Sequence, residues 1–266
     1  MALDEALLEL QELTRRLRRE CPWDREQTAR TIVPHTVEEA YEVADAAVSG
    51  SPQKLLDELG DLLFQVYFLA LLLEEQGQGN LEAVAQGAHA KLVRRHPHVF
   101  GDVEAASAGA VRVRWEAIKS EQEGREGVFH DVPESLPALL GARKVQRRAA
   151  AVGYDWPDLE GPLAKVREEL SELEEAVALG GLPPPETEAS RAAFGEVGDL
   201  LFTIVNVARR LNVDPELALR ATTARFVERV ELAQPLAADA GVTWTELDLE
   251  TQDAYYDRAK AELRSP

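Results

Sequence analysis

Glu58-Leu59-Gly60-Asp61-Leu62-Leu63-Phe64 returns 138 residues later as Glu196-Val197-Gly198-Asp199-Leu200-Leu201-Phe202. Each copy follows a Glu-Glu-x-x-Glu run, Glu38-Glu39-Ala40-Tyr41-Glu42 in the first half and Glu168-Glu169-Leu170-Ser171-Glu172 in the second. Five carboxylates thus recur in one order, which points to a tandem duplication. Glu58 and Asp61 are three residues apart, as are Glu39 and Glu42, and such spacing puts each pair on one helix face.

Outward from these stretches nearly everything reads as helix. Leu3 to Leu17 is amphipathic at helical spacing. Thr36 is a suitable N-cap for a helix to about Val48, and Ser51-Pro52 opens another to about Gln76. Leu81 to Arg95 and Val111 to Glu123 follow, with a turn at His96-Pro97-His98. The second half repeats the series over Leu139 to Val152, Pro162 to Leu179, Ser190 to Leu211 and Pro215 to Leu232, with a loop from Gly180 to Pro185. Strand signals are nearly absent. The offset between equivalent positions drifts only from 130 (Glu38 to Glu168) to 141 (Lys119 to Lys260). The expectation is an all-α chain of two duplicated helical bundles, 1–128 and 129–266, hinged between Glu121 and Pro137.

The net charge of -19 is ill suited to tracking a nucleic-acid backbone. No apolar run approaches the ~20 residues of a membrane span. Asp4, Glu5 and Glu9 stand where a signal peptide carries positive charge. The lone Cys21 excludes an internal disulfide and suits a reducing compartment. Neither a membrane nor a nucleic acid is expected as partner, and the expected location is the cytoplasm.

A helix pair joined by a short turn near Ser49 would bring the two acidic faces of a copy together. Such a cluster repels itself unless it holds cations. All-oxygen ligands without Cys select Mg²⁺, or Mn²⁺. Locally, Thr36-Val37-Glu38-Glu39 also fits a capping box. Glu168 and Glu169, well inside their helix, escape that explanation. Gly60 and Gly198 hold equivalent mid-helix positions at a cost of about 1 kcal/mol relative to Ala. Close approach of another helix or a ligand would explain them.

Together with Cys21-Pro22-Trp23-Asp24, Arg94-Arg95-His96-Pro97-His98, Trp115-Glu116-Ala117-Ile118-Lys119 and Val152-Gly153-Tyr154-Asp155-Trp156, these motifs closely resemble the two-domain MazG family of nucleoside triphosphate pyrophosphohydrolases. The resemblance implies bundles of the all-α NTP pyrophosphatase type, homodimeric assembly, and Mg²⁺-dependent hydrolysis of an NTP or dNTP to monophosphate and pyrophosphate. It implies Glu169, Glu172, Glu196 and Asp199 as metal ligands. Repeat equivalence adds Glu39, Glu42, Glu58 and Asp61.

Within that frame Glu168 and Glu38 are candidate general bases. Lys91, Arg95 and Lys119 are candidates to hold the β- and γ-phosphates in copy one, and Arg225, Arg229 and Lys260 in copy two. Trp115 and Tyr256 are the equivalent aromatics for base stacking. Tyr256 stands where the family often has Trp, and Arg225 where it has Lys. The second copy ranks first as the working site, because family activity is associated mainly with it. The alternatives are a dUTPase-like or phosphoribosyl-ATP pyrophosphohydrolase-like enzyme and a non-catalytic helical interaction module. A di-iron carboxylate protein would need Glu-x-x-His pairs, which do not occur here.

Overall fold

The computed structural model describes residues 2–101, 127–129, 132–178 and 187–264. The predicted helix Val111 to Glu123, with Trp115 and Lys119, and the loop Gly180 to Pro185 lie outside them. The described residues form helices and turns with no strand. The chain divides into two compact units, Met1–Gly127 and Val128–Pro266.

The first unit runs α1 (Leu3–Glu20), α2 (Pro22–Glu26), α3 (Ala29–Ser49), α4 (Pro52–Glu75), α5 (Leu81–Arg95) and α6 (Pro97–Phe100). Helices α3 and α4 form its central hairpin. Gly50, left-handed at φ 71, ends α3, and Ser51 caps α4 through the Lys54 N–H at 3.3 Å, with Pro52 at the first helical position. Ile32 of α3 interlocks with Phe68 and Leu72 of α4 as the buried core. Helix α1 is tied to the end of α4 by Arg15–Glu74 at 3.0 Å and Arg18–Glu75 at 2.9 Å. Arg18 also donates to the carbonyls of Asp24, Arg25 and Gln27, fixing the short α2 that carries Trp23.

The cap of helix α3 lies eight residues before the predicted one. Thr28 is the N-cap, its hydroxyl accepting from Thr31 N–H while the Thr31 hydroxyl accepts from Thr28 N–H at 2.8 Å. Pro34 is accommodated inside the helix, and Thr36 donates to Ile32 O, one turn back. Glu38 and Glu39 therefore lie in mid-helix, and the capping-box reading fails for copy one as it does for copy two.

The second unit runs α7 (Ala138–Ala151), α8 (Glu160–Ala178), α9 (Glu188–Arg210), α10 (Pro215–Asp239), a 3₁₀ turn (Trp244–Glu246) and α11 (Leu249–Glu262). Helices α8 and α9 repeat the α3/α4 pair. Asp214 caps α10 through the Glu216 and Leu217 N–H groups at 3.1 Å, and Arg143 of α7 pairs with it. Helix α10 continues past the predicted end, through Pro235 to Asp239. Ala233, Ala237 and Ala259 are fully buried where α10 meets α11, their small side chains allowing close approach. A Cβ on Gly60 or Gly198 would meet nothing within 4 Å. Within the described residues no helix approaches closely enough to require these glycines.

Candidate functional site

In the second unit, α8 supplies Glu169 and α9 supplies Glu196 and Asp199. Each offers a carboxylate oxygen, and the three oxygens lie within 4.8 Å of one another. In the first unit Glu39 of α3 and Glu58 and Asp61 of α4 meet in the same way. The repeated sequence thus folds into a repeated acidic cluster, because each helix pair runs antiparallel with its acidic faces opposed. Glu169 is buried, which is unusual for a carboxylate.

The expected fourth ligands, Glu42 and Glu172, stand beside these triads. Burial and then the Glu169 charge push Glu172 above the ordinary carboxylate range, against the pull of Lys165, and Glu196 adds to the rise. Burial, Asp61 and Glu42 do the same to Glu39. Burial and Glu42 raise Glu58. These acids resist ionising together, and a cation would relieve that tension. An all-carboxylate donor set fits a hard divalent ion such as Mg²⁺ or Mn²⁺.

Two basic neighbours escaped the sequence reading. Lys165 lies 2.8 Å from Glu168 and 2.7 Å from Glu169. Its hydrogen bonds to Glu168 and then Glu169 hold the ammonium well above the usual lysine range. The equivalent position in copy one is His35, whose Nδ1 is 3.6 Å from Glu38 and whose ring meets Trp23 edge-on at 5.6 Å. The signal was a basic residue one turn before each Glu-Glu pair. Glu38 and Glu168, the candidate bases, border the triads and face these two groups.

The other expected residues are distributed as follows. Arg229 donates to the Tyr256 hydroxyl at 3.3 Å and its guanidinium lies 5.7 Å from that ring's centre, while Phe226 packs against the same ring. Lys260, one turn on, faces Asp257 at 3.5 Å. Arg225 donates to Thr222 on its own helix at 2.9 Å. Arg229, Phe226 and Tyr256 thus meet across α10 and α11, while Arg225 and Lys260 have their contacts on their own helices. Lys91 is exposed on α5 and Arg95 is half-buried at its end. His96 Nδ1 donates to Leu92 O at 2.6 Å, which holds the ring against the end of α5.

The family model of the MazG nucleotide pyrophosphohydrolase domain matches residues 27–100, spanning the first acidic cluster. The chain is 42% identical to the nucleoside triphosphate pyrophosphohydrolase/pyrophosphatase MazG of Thermotoga maritima, over 90% of this chain and 89% of that protein. It is 40% identical to the nucleoside triphosphate pyrophosphohydrolase of Escherichia coli K12, over 90% of each. It is 38% identical to the protein of that name from Mycobacterium tuberculosis, over 56% of this chain and 46% of that one. With likeness over about nine-tenths of the chain in the first two, and with the acids the motif demands gathered into clusters, the chain belongs to the MazG family of nucleotide pyrophosphohydrolases.

Proposed function

We propose that this chain hydrolyses nucleoside and deoxynucleoside triphosphates to the monophosphate and pyrophosphate, and that the second unit's cluster is the principal working site. The reaction class is that of the family. The observation that carries the site is the convergence of Glu169, Glu196 and Asp199. Each repeat copy, 1–128 and 129–266, is read as one such domain.

Glu169, Glu172, Glu196 and Asp199 would hold Mg²⁺, and Glu39, Glu42, Glu58 and Asp61 form the equivalent set. Bound there, the ion neutralises phosphate oxygens and makes the attacking water more acidic. Glu168 sits beside the cluster without belonging to it, which suits it to accept the water's proton; Glu38 has the same place in copy one. Lys165 keeps Glu168 and Glu169 oriented. Arg225, Arg229 and Lys260 supply positive charge for the leaving pyrophosphate, a role that Lys91, Arg95 and Lys119 share in copy one. In-line attack at the α-phosphorus then needs little beyond positioning and charge neutralisation.

A homodimer is supported by two apolar stripes. Leu56, Leu59, Leu63 and Val66 on α4 are all more than one-third exposed, as are Phe194, Val197, Leu201 and Ile204 on α9. They occupy equivalent positions in the two copies. Stripes of this kind mark protein contacts. No described helix is long and apolar enough to cross a membrane, and the single free Cys21 suits the cytoplasm.

The test is product identity. With Mg²⁺ and ATP or a dNTP, the expected products are monophosphate and pyrophosphate. Release of a diphosphate and single phosphate contradicts the cleavage site. No turnover of any nucleotide favours a non-catalytic module.

A further inference from the structure

The two clusters carry the same acids in different company. In the second unit Lys165 stands on α8 one turn before the Glu168-Glu169 pair. Its ammonium lies 2.7 Å from Glu169 Oε1 and 2.8 Å from Glu168 Oε1. Positions three and four residues apart on a helix share a face, so one side chain reaches both carboxylates. Its charge also pulls on Glu172, a further turn along. A single cation thus serves all three acids of the Glu-Glu-x-x-Glu run.

These contacts differ in weight. The Glu168 side chain is 56% exposed, and a pair with it is screened by water. The Glu169 side chain is 6% exposed. A carboxylate so deeply set keeps its charge only beside a partner, and Lys165 supplies one. Glu169 is also the α8 member of the triad with Glu196 and Asp199. The ammonium therefore rests on a carboxylate that a divalent ion would take.

The first unit is built differently. His35 has the place of Lys165, and its ring meets Trp23 edge-on. It faces Glu38 at 3.6 Å, which is outside the triad of Glu39, Glu58 and Asp61. At neutral pH an imidazole is a weaker counter-charge than an ammonium. Lys54 of α4, one turn before Glu58, acts on that acid by its charge alone. The second unit has Ala192 where the first has Lys54. Among the described residues no lysine or arginine is ion-paired to Glu39, Glu58 or Asp61.

A divalent ion that binds Glu169 must displace the ammonium or share the carboxylate with it. A unit charge held a few ångströms from a doubly charged ion lowers that ion's affinity by roughly tenfold, even in a water-like medium. A lysine on the same helix is also held near at high effective concentration.

Resting on the metal sites proposed above, we infer that Lys165 is a built-in counter-cation that competes with the divalent ion for Glu169. The two clusters, alike in their acids, then differ in metal affinity. The first takes the ion readily, and the second takes it only as Lys165 gives way. At ion concentrations between the two affinities, the first cluster is loaded while the second keeps its lysine. Lys165 is thus a positioning residue that sets when the second cluster loads.

The experiment is a Mn²⁺ titration of the full chain without nucleotide, with the free aqua ion counted by electron paramagnetic resonance. Two classes of site are expected, about tenfold or more apart. Asp61→Ala should remove the tight class and Asp199→Ala the weak one. Lys165→Met should tighten the weak class about tenfold and leave the tight class alone. His35→Lys, the reciprocal change, should loosen the tight class. A weak class that is unchanged or further weakened in Lys165→Met overturns the inference, because a lysine that did no more than hold Glu169 in place would aid the ion. Equal classes in the parent chain, or a tighter second cluster, overturn it as well. Pyrophosphate release separates this outcome from the proposed function. A parent chain that releases pyrophosphate with Mg²⁺ but binds Mn²⁺ equally at both clusters keeps the reaction and loses the inference. Mn²⁺ binding that is absent from the parent chain, or that survives undiminished in both Asp61→Ala and Asp199→Ala, removes the metal sites themselves and the inference with them.

Discussion

Lys165 places a positive charge against Glu168 and Glu169 where the second cluster is most crowded. Replacing it with Met should lower the melting temperature of the metal-free protein only modestly, because the ammonium is partly solvated. Added Mn²⁺ should narrow the gap. Two glycines make opposite predictions. Gly161→Ala drives a methyl into the Trp156 ring and should cost about 1–3 kcal/mol. Gly198→Ala meets nothing and should stabilise by roughly 0.5–1 kcal/mol in denaturant titration. The triad acids were legible in the sequence because duplication showed them twice. Lys165 and His35 were not, because a single basic residue before an acidic pair looks like ordinary helix-surface pairing.

Caps explain which helices could be read in advance. Ser51-Pro52 and the Asn80 cap of α5 have local signals that tertiary packing leaves intact. Helices α3 and α10 were read short, and each runs on through a proline, Pro34 and Pro235. Each proline removes one helix hydrogen bond. Packing of Ile32 against Phe68, and burial of Ala233 and Ala237, keep both helices continuous. Thr28→Ala should therefore cost about 1 kcal/mol by removing the true cap of α3, measured by chemical denaturation.

The loop before α8 is held by Asp155. Burial pushes its carboxyl up, but hydrogen bonding to Arg209, the Arg209 charge, the Trp156 N–H and Arg210 outweigh it and hold it below the ordinary range. A depressed carboxyl stabilises the fold above its unfolded value, about 3.9, and loses that contribution as pH falls through the folded value. Asp155→Asn should thus be destabilised by about 1–3 kcal/mol at pH 7. The difference from the parent chain should shrink below about pH 4, as read by thermal melts across pH.

At the scale of the molecule, duplication produced two acidic clusters and two apolar stripes, but the cavity that Asn206 lines in the second unit has the core residue Phe68 at the equivalent place in the first. The equivalence was visible in the sequence, whereas the asymmetry depends on Phe68 being core and Asn206 being lining. Substituting Glu at Leu201 should shift the sedimentation profile from dimer towards monomer if the α9 stripe is an interface between copies. An unchanged profile would assign that stripe elsewhere. The division of labour between the clusters is read most directly from pyrophosphate release with Mg²⁺ and a saturating NTP in Asp61→Ala and Asp199→Ala, made separately. Asp199→Ala should lose on the order of a hundredfold or more in turnover, while Asp61→Ala keeps most of it. Intact turnover in Asp199→Ala, with loss in Asp61→Ala, would contradict the account.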